Sequence, residues 1–242
     1  MARSVVLAGT GRCPLCLLPP RWCICGTLQP VVNPLQVGVL FHRREQWRPT
    51  STGKLIERIF SNARTHVFQR DRPWIREEIV ASDRELWILH PRGEPLSGGA
   101  ETAADPARIQ VLLLDGSWGE AGQMLRQVEK WGRPIRLPLP ATSRYWLREQ
   151  QGEGQLSTVE ALLGLLAAIR QPDAEALLRL HFELHVYASL RARGQKAKAA
   201  LYLENSPLLH SIPHVLDQLH QRRPNPSTPR TDSPLSCQLP EP

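Results

Sequence analysis

The chain has 242 residues, 41% of them hydrophobic, which is enough for one sizeable domain with its own core, or one domain with a small appendage. Lys and Arg number 30 against 23 Asp and Glu, a formal net charge of +7. That balance suits a polyanionic partner, and equally suits a generally basic protein. Charges interrupt every apolar stretch before it reaches bilayer length, and the run Val5 to Ala8 is too short for a signal-peptide core. The expectation is a chain outside membranes, in the cytoplasm, where disulfides are rare.

Residues 1–30 carry four cysteines and Pro19-Pro20, with neither a helical nor a strand period. The body, residues 31–221, begins with Leu35 to Phe41, which reads as a strand. Thr52 to Asn62 reads as a helix, with Leu55, Ile56, Ile59 and Phe60 on one face. A short strand is placed at Thr65 to Phe68 and another at Leu86 to His90, ended by Pro91. Ile109 to Leu114 is a continuous apolar run, as expected of a strand covered on both faces of a parallel sheet. A helix over Gly119 to Trp131 and a short strand at Pro134 to Leu137 follow. Helices are predicted at Thr158 to Arg170 and Ala174 to Arg193, separated by Gln171-Pro172. Residues 222–242, rich in Pro, Ser and Thr, read as a disordered tail that holds the isolated Cys237. Alternating strands and helices make the body α/β with a mostly parallel sheet.

Cys13, Cys16, Cys23 and Cys25 form a C-x2-C-x6-C-x-C cluster. Four thiolates this close in a reducing compartment suit a tetrahedral zinc, with Gly26 placed to ease the turn after the tight C-x-C pair. Such a site is closed, so its expected role is structural. A redox C-x2-C would instead follow a strand and open a helix, a setting absent here.

Asp115-Gly116-Ser117-Trp118 ends the buried strand and precedes a helix. Ligands bind at the carboxyl ends of strands in open parallel sheets, so this tetrapeptide stands where a site is expected. Taken alone it reads better as a helix cap followed by a core Trp. Four further pieces accompany it. These are His42-x-x-Glu45, Thr50-Ser51-Thr52-Gly53, Ser143-x-Tyr145-x-x-Arg148, and Leu156-Ser157-Thr158-Val159-Glu160-Ala161.

This ordered set, from Cys13 to about Leu166, resembles the DTW-domain family, the tRNA-uridine aminocarboxypropyltransferases. Ser117 stands where that family usually has Thr, and Ser51 where Asn is usual; the first keeps a hydroxyl, and the second puts any polar contact by that residue in doubt. The resemblance implies a SPOUT-like knotted α/β fold. It also implies transfer of the 3-amino-3-carboxypropyl group of S-adenosylmethionine to N3 of a tRNA uridine, with methylthioadenosine released.

The catalytic residues that follow from the motif are Asp115, Ser117 and Trp118, with Asp115 the candidate acceptor of the N3 proton. Trp118 would stack on a base or pack in the core. The expected donor pocket combines Pro91 and Gly93 with Asp115, Gly116, Ser157, Thr158 and Glu160. The residues expected to face RNA are His42, Glu45, Arg48, Thr52, Arg144, Tyr145 and Arg148, the last three forming a cation-and-aromatic mixture with Trp146. Two other functions compete: a SPOUT-type RNA methyltransferase, and a non-enzymatic zinc-containing RNA-binding module. The long α/β body exceeds what a binding knuckle requires.

Overall fold

The computed structural model describes residues 11–69, 72–96, 105–138, 142–148 and 156–222. The expected tail from 223 onward, with Cys237, lies outside the described residues.

The elements run β1 (Gln36–His42), α1 (Gly53–Ile59), β2 (Ala63–Phe68), α2 (Arg76–Ile79), β3 (Glu85–Pro95), β4 (Ile109–Asp115), α3 (Trp118–Val128), β5 (Arg133–Arg136), α4 (Thr158–Ala168), α5 (Pro172–Ala192), α6 (Lys196–Glu204), α7 (Leu208–Ser211) and α8 (Pro213–Gln221). The chain divides into two compact units. One is drawn from Gln29–Phe182, the other from Met1–Leu28 with Glu183–Pro242, so one unit boundary falls inside α5. The expected boundaries near residues 30 and 222 group the chain differently, because sequence order does not show which distant segments pack together.

The first unit is built on a five-strand parallel sheet in the order β2-β1-β4-β3-β5. The two most continuous apolar runs, β1 and β4, lie side by side, with Phe41 opposite Asp115. Side chains alternate between faces along a strand. Leu40 of β1, Leu86 and Ile88 of β3 and Leu112 of β4 pack with Met124, Leu125 and Val128 of α3. The other register of β4, which ends in Asp115, meets α1, where Gly53 lies against Phe41 and the Asp115 carboxylate. Thr158 at the start of α4 also reaches Asp115.

β3 does not stop at Pro91. It continues to Pro95, because its pairing with β4 has already ended at Leu89 and a missing N–H no longer breaks a two-sided ladder. Beyond that point it pairs with β5 alone, through an irregularity between Leu89 and Glu94. Gly93 permits the close approach: a Cβ there would lie 2.5 Å from the Pro134 carbonyl carbon and the Ile135 nitrogen. The break expected at Gln171-Pro172 is real. Arg170 takes φ 55° and Pro172 opens α5, where the missing N–H costs nothing.

In the second unit, residues 11–28 form tight turns without strands, including short 3-10 turns at Pro20–Trp22 and Cys25–Thr27. Trp22 packs edge-on against Tyr187 of α5, the Arg191 guanidinium stands 4.7 Å from the Trp22 ring centre, and Arg222 donates to the Cys23 carbonyl at 2.6 Å. Among the described residues no helix is long and apolar enough to cross a membrane.

Candidate active site and metal centre

Asp115 is the buried centre of the first unit's polar residues, only 4% exposed. The Ser51 hydroxyl donates to its Oδ2 and the Thr158 hydroxyl to its Oδ1, each at 2.6 Å. Burial pushes the Asp115 carboxyl above the usual aspartate range, against the opposing effect of those two hydroxyls and of Arg148. The end of β4, the loop before α1 and the start of α4 are therefore tied at one carboxylate. Ser51 makes the polar contact that its departure from the family pattern had put in doubt.

The Ser143-x-Tyr145-x-x-Arg148 stretch binds three other motifs at once. The Ser143 hydroxyl donates to Glu160 at 2.8 Å, and the Arg144 amide reaches the same carboxylate at 2.7 Å. The Tyr145 hydroxyl donates to the Thr50 carbonyl, and Arg148 donates to Glu45 at 3.0 Å. Arg48 also bonds to Glu45. His42 pairs with Glu120 at 2.8 Å, away from the Glu45 that its motif suggests, because Glu120 stands on the first turn of α3 beside the end of β1.

These contacts redistribute the expected roles. Glu45 has no exposed surface and holds Arg48 and Arg148, so it does not face RNA. Thr52 and Tyr145 are buried and line the cavity described below. Burial pushes the Tyr145 phenol up to about 12, which keeps it a neutral donor. Glu160 is occupied by the Ser157 amide, Ser143 and the Arg144 amide, so it positions the loop and is not part of the cavity wall. Gly93 serves the contact between β3 and β5 and also lies off that wall. Ser117 and Ser157 cap α3 and α4 in matching capping boxes with Glu120 and Glu160.

A cavity of about 580 Å³ opens at the carboxyl ends of β3, β4 and β5, within the roughly 300–1,000 Å³ usual for small-molecule sites. Of the expected residues, Pro91, Asp115, Gly116, Ser117, Trp118, Ser157 and Thr158 line it. Trp118 is 41% exposed, so it presents its ring to the cavity and is not core filling. His90, which with Pro91, Arg92 and Gly93 forms the strand-end loop expected at the donor pocket, belongs to the wall; Arg136 and Leu137 belong to it too and were not assigned to it from sequence. The strand-end rule, applied to β5 as it was to β4, would have found the last two. The His90 Nδ1 accepts from the Arg92 amide at 3.1 Å, and burial lowers its basicity, so the ring is neutral with its hydrogen on Nε2.

The second unit brings the Sγ atoms of Cys13, Cys16, Cys23 and Cys25 within 4.8 Å of one another, with none of the four in a disulfide. The pairs Cys13–Cys25 and Cys16–Cys23 lie 3.7 Å apart. A tetrahedron with zinc–sulfur bonds of about 2.3 Å has edges of about 3.8 Å, so the spacing fits such an ion. Without a cation the thiols cannot all ionise. The hydrogen bond it donates to Cys23 pushes Cys16 up to about 12 and drives Cys23 down. A divalent ion removes that conflict, and these four residues could hold a metal such as zinc. The left-handed residue in the turn is Leu17 (φ 58°), and Gly26 takes no left-handed conformation.

The protein is an α/β protein with an all-parallel sheet and a cavity at the sheet's carboxyl edge, where ligand sites of such folds usually lie. A family model described as the DTW domain matches residues 10–190. The chain belongs to the DTW-domain family, the tRNA-uridine aminocarboxypropyltransferase family, and that membership supports a tRNA-modifying transferase. No solved structure matches the chain.

Proposed function

We propose that this protein transfers the 3-amino-3-carboxypropyl group of S-adenosylmethionine to N3 of a uridine in tRNA, releasing methylthioadenosine. The observation that carries this reading is the meeting of Asp115, Ser51 and Thr158 at the floor of the 580 Å³ cavity, where three motifs distant in sequence share one carboxylate. The cavity suits the donor chemically: apolar wall residues Leu89, Leu113 and Ile135 for a nucleoside, and a buried anion and a guanidinium at its polar end. The SPOUT-like knotted arrangement belongs to the same proposal, and the strand order β2-β1-β4-β3-β5 accommodates it.

Bound there, the donor would supply an electrophilic carbon beside its sulfonium, with methylthioadenosine as the neutral thioether leaving group. Asp115 accepts the N3 proton of uridine, through the Thr158 hydroxyl that is less buried and 2.6 Å from Oδ1. Its raised basicity favours that transfer. Trp118 at the cavity wall stacks on adenine or the target base. The heads of Arg48 and Arg144 supply phosphate contacts, and the four cysteines hold a structural zinc.

The deciding experiment incubates purified protein with tRNA and S-adenosylmethionine and analyses the small-molecule product by mass spectrometry. Methylthioadenosine formed only in the presence of tRNA is the expected result. S-adenosylhomocysteine would mean methyl transfer, and no product with any tRNA would favour a binding protein.

A further inference from the structure

Arg148 was expected to face RNA, yet it lines the cavity. Its Nη2 donates to Glu45 Oε2 at 3.0 Å and its guanidinium lies 5.8 Å from the Tyr145 ring centre, so the head is held from two sides. About a third of the side chain remains exposed (35%). Glu45 is shared with Arg48, so one buried carboxylate faces two guanidinium groups. Asp115, whose carboxyl lines the same cavity, lies close enough to feel the Arg148 charge. Arg148 is thus a guanidinium held in place on the cavity wall, a complement for an anionic group of a ligand.

We infer that Arg148 binds the α-carboxylate of the donor's amino-acid moiety. This rests on the donor reading above. A guanidinium fork matches a carboxylate with two parallel hydrogen bonds, which fixes orientation as well as position. Holding the carboxylate anchors the far end of the carbon chain that leads to the sulfonium. Glu45 is the positioning residue: it aims the fork and, being buried, cannot itself reach the ligand.

The test is isothermal titration of the purified full chain with three ligands: S-adenosylmethionine, its decarboxylated analogue, and methylthioadenosine, which lacks the amino-acid moiety. Wild-type protein should bind the first most tightly. Arg148→Gln should weaken S-adenosylmethionine at least tenfold while changing the other two less than twofold, and Arg148→Lys should recover part of the loss. Retained methylthioadenosine binding shows that the variant is folded. The inference is overturned if Arg148→Gln leaves S-adenosylmethionine affinity unchanged, weakens all three ligands alike, or weakens tRNA alone. It is also overturned if Arg136→Gln produces the selective loss instead. Wild-type protein that binds none of the three removes the donor reading itself, a different result from any of these.

Discussion

Asp115 combines a catalytic assignment with a structural one, and the two can be separated because a carboxamide has nearly the same shape. In Asp115→Asn the Ser51 and Thr158 hydroxyls keep an oxygen or nitrogen to pair with, and a buried charge is removed. Turnover is expected to fall by about 10²–10⁴-fold, the usual contribution of a general base. The melting temperature at neutral pH should hold or rise. Because the folded-state value is raised, the stability linked to this carboxyl is present below the unfolded aspartate value, near 3.9, and is lost as pH rises through the folded value. Thermal melts against pH should show that loss in wild type and its removal in the Asn variant. A variant with full turnover would end the proton-acceptor assignment.

Elements meet at this site because small residues let them approach. Gly53 opens α1 against the floor of the cavity; a Cβ there would lie 2.6 Å from Asp115 Oδ2 and 2.8 Å from Phe41 Cε1. Alanine is the better helix former by about 0.5–1 kcal/mol, but the clash outweighs this, since overpacking costs about 1–3 kcal/mol. Gly53→Ala should therefore lower stability in urea denaturation and weaken donor affinity; a stabilised variant would contradict the packing described here. The elements themselves were legible. The apolar runs of β1 and β4 and the S-x-x-E caps of α3 and α4 depend on neighbours a few residues away. The partners of those caps were not: Glu160 also carries Ser143 and the Arg144 amide from a loop whose path local periodicity does not encode.

For the whole molecule, the four-cysteine segment folds with residues 183–222, through Trp22 on Tyr187 and Arg222 on the Cys23 carbonyl. Turns without strands or a large core would gain much of their stability from a bound metal; structural zinc contributes an apparent 10–16 kcal/mol or so in small zinc peptides. Metal analysis should find one zinc per chain, and chelation should expose four titratable thiols and speed amide hydrogen exchange across residues 11–28. Protein that purifies metal-free with those amides still protected would remove the site.

By itself the sequence determined the class of sheet, most strand and helix positions, the thiol ligand set and the order of the motifs. All of these are set by spacing along a few residues: period two for strands, 3.6 for helices, and a short turn for the cysteines. Only the tertiary structure decided the pairings. It gave His42 to Glu120, Glu45 to Arg148 across 103 residues, Asp115 to both Ser51 and Thr158, and the cysteine segment to the C-terminal helices. Such pairings follow from sheet register and loop paths, which many local patterns share, so no short-range regularity could choose among them.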